Sequence, residues 1–173
     1  MIEYDIVDSS FFRANKEYIE YIQKELNVLG IICLGYCSGF GYDVEAEFEK
    51  SGLKFKLKFI KYQTTQTTTA HEYTGTVICV TGINLRYKLK VSKSLFQRCF
   101  CSSKNKLKIS KPYYLKYSDT VNDNIADSLA KILTNNEISK ILIKNEKCEV
   151  VIHKAVNNPI ELVNDVEYII KRL

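Results

Sequence analysis

The residues with the most distinctive chemistry in this chain are six cysteines and two histidines. Thiolates at short spacing can share one tetrahedral zinc ion, and two cysteine pairs, Cys33-x3-Cys37 and Cys99-x-Cys101, are closely spaced. Neither pair has the C-x2-C or C-x4-C spacing of common zinc knuckles, and Cys33 falls in an apolar, strand-like run. We therefore predict reduced, buried thiols and assign no metal ligands. The remaining cysteines are Cys79 and Cys148.

Catalysis by a cysteine would require a base close to the thiol. His71 lies in a polar stretch and His153 lies on the polar side of an alternating strand, and nothing in the sequence pairs either histidine with a cysteine. The glycine-rich stretch GYCSGFG (35–41) has neither the lysine of a P-loop nor dinucleotide-binding spacing, and hydrolase signatures are lacking. We predict no catalytic residues and no cofactor. A small cysteine-dependent enzyme or zinc protein is kept as an alternative function.

Length and composition favour one globular domain spanning residues 1–173. Apolar residues make up 46% and charged residues 26% of the chain, which is typical of a folded, water-exposed protein. No apolar run approaches the roughly 20 residues of a membrane-spanning helix. The acidic N-terminal stretch MIEYDIVDSS does not resemble an export signal. We expect a cytoplasmic protein, either free or peripheral to a membrane.

The order of hydrophobic periods predicts an α+β fold. Helical spacing over residues 11–29 indicates an N-terminal helix capped by Ser9 or Ser10 and ended at Gly30. Alternation from Ile31 to Val91 indicates an antiparallel β-meander. The last third then reads as a helix over residues 120–134, a hairpin turning at Asn145-Glu146, and a final helix starting at Pro159. We expect this helix–hairpin–helix unit to pack on the sheet.

The run EAEFEKSGLKFKLKF (45–59) predicts a hairpin whose two-residue turn is Ser51-Gly52. This register places Phe48 opposite Phe55 on one face and a row of glutamates opposite a row of lysines on the other. A shift of one residue would break both sets of pairs. We therefore expect the lysine row to be largely neutralised inside the hairpin. The predicted charge pairs are Glu49 with Lys54, Glu47 with Lys56, and Glu45 with Lys58.

Charge is unevenly distributed along the chain. Residues 1–52 carry a net charge of −6, residues 53–116 carry +13, and residues 117–173 carry −2. Such segregation favours a positive patch beside the sheet, although a solvated face balanced by the acidic thirds is the simpler interpretation. The candidate residues of the patch are Arg86, Lys88, Lys90, Lys93, Arg98, Lys104, Lys106, Lys108 and Lys111.

The basic segment is the feature on which the functional hypothesis rests. It predicts a non-enzymatic binding or scaffolding domain whose partner is anionic, either an acidic lipid surface or an acidic protein. A nucleic-acid-associated protein is the alternative, but the aromatic residues Phe55, Phe59 and Tyr87 alternate opposite the cations instead of lying beside them. Common nucleic-acid-binding motifs are also missing.

Several short motifs follow one another from Phe55 onward: KFIKY, YTG (73–75) opening an apolar strand, YYLKYSD leading into NIADSLAKIL, and the closing strand EVVIHKA. In this order they resemble a family of uncharacterised bacterial domains that are often the soluble parts of membrane-associated proteins. The resemblance covers about the last two thirds of the chain. It implies a membrane context, from which this chain departs in having no transmembrane segment, and it implies no catalytic residues.

Overall fold

The computed structural model describes residues 1–5, 9–63, 71–82, 89–93, 113–117, 127–130, 132–133 and 138–172. The chain is an α+β protein in which helices cover one face of a mostly antiparallel sheet. The two long helices are α1 (Ser10–Asn27) and α2 (Pro159–Ile170). The strands are β1 (Ile2–Tyr4), β2 (Cys33–Ser38), β3 (Gly41–Lys50), β4 (Leu53–Gln63), β5 (His71–Val80), β6 (Leu89–Lys93), β7 (Tyr113–Tyr117), β8 (Ile138–Lys144) and β9 (Lys147–Ile152).

Both helices begin at the side chains that the sequence indicates. Ser9 caps α1 by accepting a hydrogen bond from the Phe12 amide at 3.1 Å, and Asn158 caps α2 by accepting from the Glu161 amide at 2.9 Å. The buried stripe of α1 begins at Phe12. Phe12 is buried and Phe11 is 44% exposed, because the core-facing row continues through Asn15 and Ile19.

The predicted hairpin is confirmed in its register. Strands β3 and β4 pair with Glu49 opposite Lys54, Glu47 opposite Lys56, and Glu45 opposite Lys58. The rings of Phe48 and Phe55 stack with their centroids 5.4 Å apart. Positive φ angles at Ser51 (54°) and Gly52 (76°) form the turn that the two-residue loop requires.

The predicted meander to Val91 is wrong beyond β5. Strands β2 to β5 are consecutive antiparallel neighbours, but β5 pairs next with β9, so the sheet order is β1-β2-β3-β4-β5-β9-β8-β6-β7. The β8–β9 hairpin, which turns at Asn145-Glu146 as predicted, is therefore inserted into the sheet instead of packed on it. Its residues are buried on one face only. Inside the sheet, the backbone N–H and C=O groups on both edges of the hairpin pair with neighbouring strands, whereas a hairpin packed on top of the sheet would leave them unpaired.

The core lies between the sheet and the helices. The inward-facing rows include Val44, Leu57, Val77 and Val150, all at most 1% exposed. They pack under α1, under α2 and under the helical residues 127–130 and 132–133, where Leu129, Ile132 and Leu133 are buried. The rest of the helix predicted over residues 120–134 lies outside the described residues. The opposite side of the sheet, here called the outer face, bears most of the charged strand residues.

Candidate functional site

Most of the predicted basic patch falls on residues that the structure does not describe. Lys90 is the one member whose side chain is described, and it is exposed on β6. Lys93 lies on the same strand, where the backbone alone is described. The other seven cations lie outside the described residues: Arg86, Lys88, Arg98, Lys104, Lys106, Lys108 and Lys111.

The sheet order gives Lys90 neighbours that lie far away in the sequence. Strand β6 pairs with β8, and Lys90 stands opposite Leu142 on the outer face. Two residues further along β8, Lys144 stands opposite Lys147 of β9. Lys90, Lys144 and Lys147 are all exposed. With strands about 4.8 Å apart and about 3.3 Å per residue, the backbone of Lys144 lies within about 10 Å of that of Lys90 and of Lys147, and the backbones of Lys90 and Lys147 lie about 12 Å apart.

A fourth lysine extends this row toward the centre of the sheet. Lys147 stands opposite Val80 of β5, and Val80 stands opposite Lys54 of β4. Within the described part of the chain, no carboxylate lies within 4.0 Å of the ammonium group of any of the four lysines. We call Lys54, Lys90, Lys144 and Lys147 the lysine surface.

A shallow cleft of about 670 Å³ lies at the β8–β9 end of the lysine surface. Two carboxylates line it. The Glu149 Oε2 atom lies 3.4 Å from the Lys140 Nζ atom, so its charge is partly balanced, and Glu146 is exposed in the turn. The two lysines and two glutamates among its lining residues give the cleft a polar rim without net formal charge around one aliphatic side chain. Its lining residues are Leu142, Lys144, Asn145, Glu146, Lys147 and Glu149.

The lysines of β4 are neutralised only in part. The Lys56 ammonium lies 2.7 Å from Glu47 and 3.2 Å from Glu45, and these carboxylates raise the pKa of Lys56. Lys58 reaches diagonally to Asp43 at 3.1 Å instead of to Glu45, the residue opposite it. The expected contact of Lys54 with Glu49 does not form. The correction adds one cation, Lys54, to the lysine surface.

Four of the six thiols are buried and free, as predicted: Cys33, Cys37, Cys79 and Cys148. Burial raises the pKa of all four, that of Cys79 to about 11. They are therefore protonated at neutral pH, which is the wrong state for a nucleophile. In the ranges that the structure describes, no three histidine, cysteine or acidic side chains cluster as metal ligands would. Cys99 and Cys101 lie outside these ranges.

A polar cluster inside the core was not expected from the sequence. Lys61 is only 7% exposed, and its ammonium donates to the Asn15 Oδ1 atom at 2.6 Å and lies 5.3 Å from the centre of the Tyr73 ring. Asn15, itself buried, donates through Nδ2 to the Ser38 carbonyl oxygen at 2.8 Å. Strand alternation through Phe55, Leu57 and Phe59 would have assigned Lys61 to the inner face.

The lysines of the C-terminal hairpin were also missed as site residues. The alternation of apolar and polar residues in KILIK and in KCEVVI assigns Lys144 and Lys147 to the polar side of the hairpin. This alternation is the sequence signal that could have identified them as surface lysines. Their proximity to Lys90 depends on the pairing of β6 with β8, to which local sequence patterns do not point. His153, which the sequence placed on the polar side of a strand, is exposed one residue after the end of β9.

Comparisons of the chain with protein-family models, with curated proteins and with solved structures found no match. The resemblance to the bacterial family therefore stays a prediction. No helix in the described part of the chain has the length and hydropathy that crossing a bilayer requires.

Proposed function

We propose that this protein is a non-enzymatic binding domain that engages an anionic partner through the lysine surface. The proposal rests on one observation. Four exposed lysines lie on nearby strands of the sheet, and none of their ammonium groups has a carboxylate partner in the described part of the chain. Ion pairs already hold Lys56 and Lys58, so those lysines contribute little. The sequence adds further cations directly before and after β6, in residues 83–112.

Among anionic partners, an acidic lipid surface fits best. Each lysine near an anionic bilayer contributes about 1 kcal/mol, so four lysines suffice for reversible, salt-sensitive attachment. A broad sheet face matches a planar headgroup layer better than it matches a nucleic-acid groove. Beside the lysine surface, Leu142 of β8 and Val80 of β5 are aliphatic outward residues. The register also places Tyr114 of β7 at a position on the outer face, two residues from Lys116, which stands opposite Lys90, so one aromatic position is present for the nucleic-acid alternative.

The proposal is tested by co-sedimentation with vesicles rich in phosphatidylserine and with neutral phosphatidylcholine vesicles. At 0.15 M salt, wild-type protein should sediment with the acidic vesicles alone. Replacing Lys90, Lys144 and Lys147 together by Gln should weaken binding about 100-fold, because three contributions of about 1 kcal/mol are lost.

A control variant with the same change in net charge replaces Lys16, Lys24 and Arg172 by Gln. These residues lie on or next to the helices, on the other side of the sheet, so acidic-vesicle binding should fall less than about threefold. Equal losses in the two triple variants would contradict a localised site. Absence of vesicle binding with retention on duplex DNA would favour the nucleic-acid alternative. Absence of both would point to an acidic protein partner.

A further inference from the structure

From β3 to β8, the outer face of the sheet carries an acidic strand (β3), a basic strand (β4), a strand that is uncharged over residues 74–80 (β5), a strand with one lysine and one glutamate (β9), and a basic strand (β8). Strand β3 contributes four carboxylates, Asp43, Glu45, Glu47 and Glu49, to this face. Strand β5, at the centre, contributes Thr74, Thr76, Ile78 and Val80 over residues 74–80. Strands β9 and β8 contribute Lys147, Lys140 and Lys144, with Glu149 and Leu142 between them.

We propose that two copies of this chain associate through their outer faces, related by a two-fold axis that runs along β5. A rotation of 180° about this axis keeps each residue at its level along the strands but reverses the strand order. Strand β3 of one copy then lies over β8 of the other, and β4 lies over β9. The inference goes beyond the proposed function, because it concerns a second copy of the chain instead of an external partner.

The strand register decides which side chains meet. Glu49, Lys54, Val80, Lys147 and Lys144 form one row across five strands. In the rotated pair, Glu49 of one copy therefore faces Lys144 of the other, twice by symmetry. Both side chains are free of ion pairs within the described part of the chain, so each gains an opposite charge without losing one.

The neighbouring rows agree with this arrangement. Lys56 faces Glu149 of the second copy, and Glu45 faces Lys140 of the second copy. On the axis itself Ile78 meets its symmetry mate, and Val80, which is 38% exposed, does the same. The contact of Lys54 with Lys147 of the second copy is repulsive, and it too occurs twice by symmetry. Glu49, on the strand beside Lys54, lies close enough to reduce this repulsion.

The area of the surface suits a stable pair. Five strands of 6 to 11 residues, at about 4.8 Å spacing and about 3.3 Å per residue, cover about 700 Å² on each copy. This is about the area that a standard specific interface buries per partner. Self-association would occupy the lysine surface, so a second copy and an anionic partner should compete for it.

Sedimentation velocity over a concentration series provides the test. Wild-type protein should form a dimer whose dissociation constant rises with salt. Single variants Lys144→Glu and Glu49→Lys should each weaken the dimer at least about 10-fold, since each creates two like-charge contacts. An equimolar mixture of the two variants should recover a dimer, because positions 49 and 144 then carry opposite charges at both contacts of the heterodimer.

A control variant, Lys24→Glu on α1, should dimerise as the wild type does. A monomeric wild type at high concentration, or a mixture that stays monomeric, would overturn the proposal. The vesicle experiment separates it from the proposed function. Glu49→Lys should weaken the dimer and yet increase binding to acidic vesicles, whereas Lys144→Glu should weaken both.

Discussion

At the residue scale, the least ordinary feature is a lysine ammonium inside the core. Lys61 is 7% exposed, and its ammonium contacts the side-chain amide of Asn15 and the ring of Tyr73. A buried charge is tolerated only when hydrogen bonds replace the lost water. The Asn15 side chain supplies such a bond, and its own amide is held by the Ser38 carbonyl.

We therefore predict that Asn15→Leu destabilises the protein by about 3 kcal/mol, because the Lys61 ammonium loses its acceptor. Adding Lys61→Met to this variant should recover most of the loss, since the charge is then removed with its partner. Urea unfolding of the wild type, both single variants and the double variant measures the coupling.

The exposed Lys58 supplies a control for the same experiment. Lys58→Met, which breaks one surface ion pair with Asp43, should cost less than about 1 kcal/mol. Additive effects of Asn15→Leu and Lys61→Met would show that the two side chains do not stabilise each other.

At the scale of elements, Glu167 joins α2 to the turn of the β3–β4 hairpin. The ammonium groups of Lys171 and Lys50 lie 2.5 Å and 2.8 Å from its carboxylate and lower the pKa of Glu167 to about 2. Because the folded pKa lies below the ordinary value of 4.5, the ionised form stabilises the fold above pH 4.5. This contribution is lost as the pH falls from about 4.5 to about 2.

We predict that Glu167→Gln lowers the free energy of unfolding at pH 7 by about 1 kcal/mol. This is less than the loss of a fully buried charged hydrogen bond would cost, because water partly screens the site. The variant should also lose less stability than the wild type between about pH 4.5 and about pH 2. Urea unfolding at a series of pH values measures both effects.

Glu17→Gln, on the exposed side of α1, should change stability at pH 7 by less than about 0.5 kcal/mol. Identical acid profiles for wild type and Glu167→Gln would contradict the role assigned to this carboxylate.

At the scale of the whole molecule, the C-terminal hairpin joins the two parts of the sheet. Strand β9 lies between β5 and β8, so the N-terminal strands reach β6 and β7 only through β9 and β8. Val77 and Cys79 of β5 pair with Val150 and Cys148 of β9, and all four are at most 1% exposed. The N-terminal half therefore lacks a complete core of its own.

We predict that a chain ending at residue 137 does not fold, because β5 loses its paired edge and the inner face loses α2. Its amide spectrum should show the narrow dispersion of an unfolded chain, and trypsin should digest it rapidly. Adding residues 138–173 as a separate peptide should restore protection to some extent. A well-dispersed spectrum of the truncated chain alone would contradict the dependence on the hairpin.

The candidate site could be predicted from the sequence only in part. The segregation of charge along the sequence drew attention to the segment that contains Lys90, but most of the cations in that segment lie outside the described residues, so the predicted patch stays a prediction. Lys54 was assigned to an internal pair, because register specifies which residues stand opposite one another but does not specify which carboxylate a flexible ammonium reaches. Lys144 and Lys147 were recognised as hairpin residues without a function, because their relation to Lys90 depends on two long-range strand pairings.

The sequence by itself determined the local elements: the capped helices, the register of the β3–β4 hairpin and the turn at Asn145-Glu146. In each case a short-range signal acts, namely a side chain that caps an amide, or two rows of residues that match across a tight turn. The tertiary structure alone decided the sheet order, since every antiparallel strand offers two edges and the choice between them depends on the packing of the whole core. That choice put Lys90 beside the C-terminal hairpin, and so it also decided where the lysine surface lies.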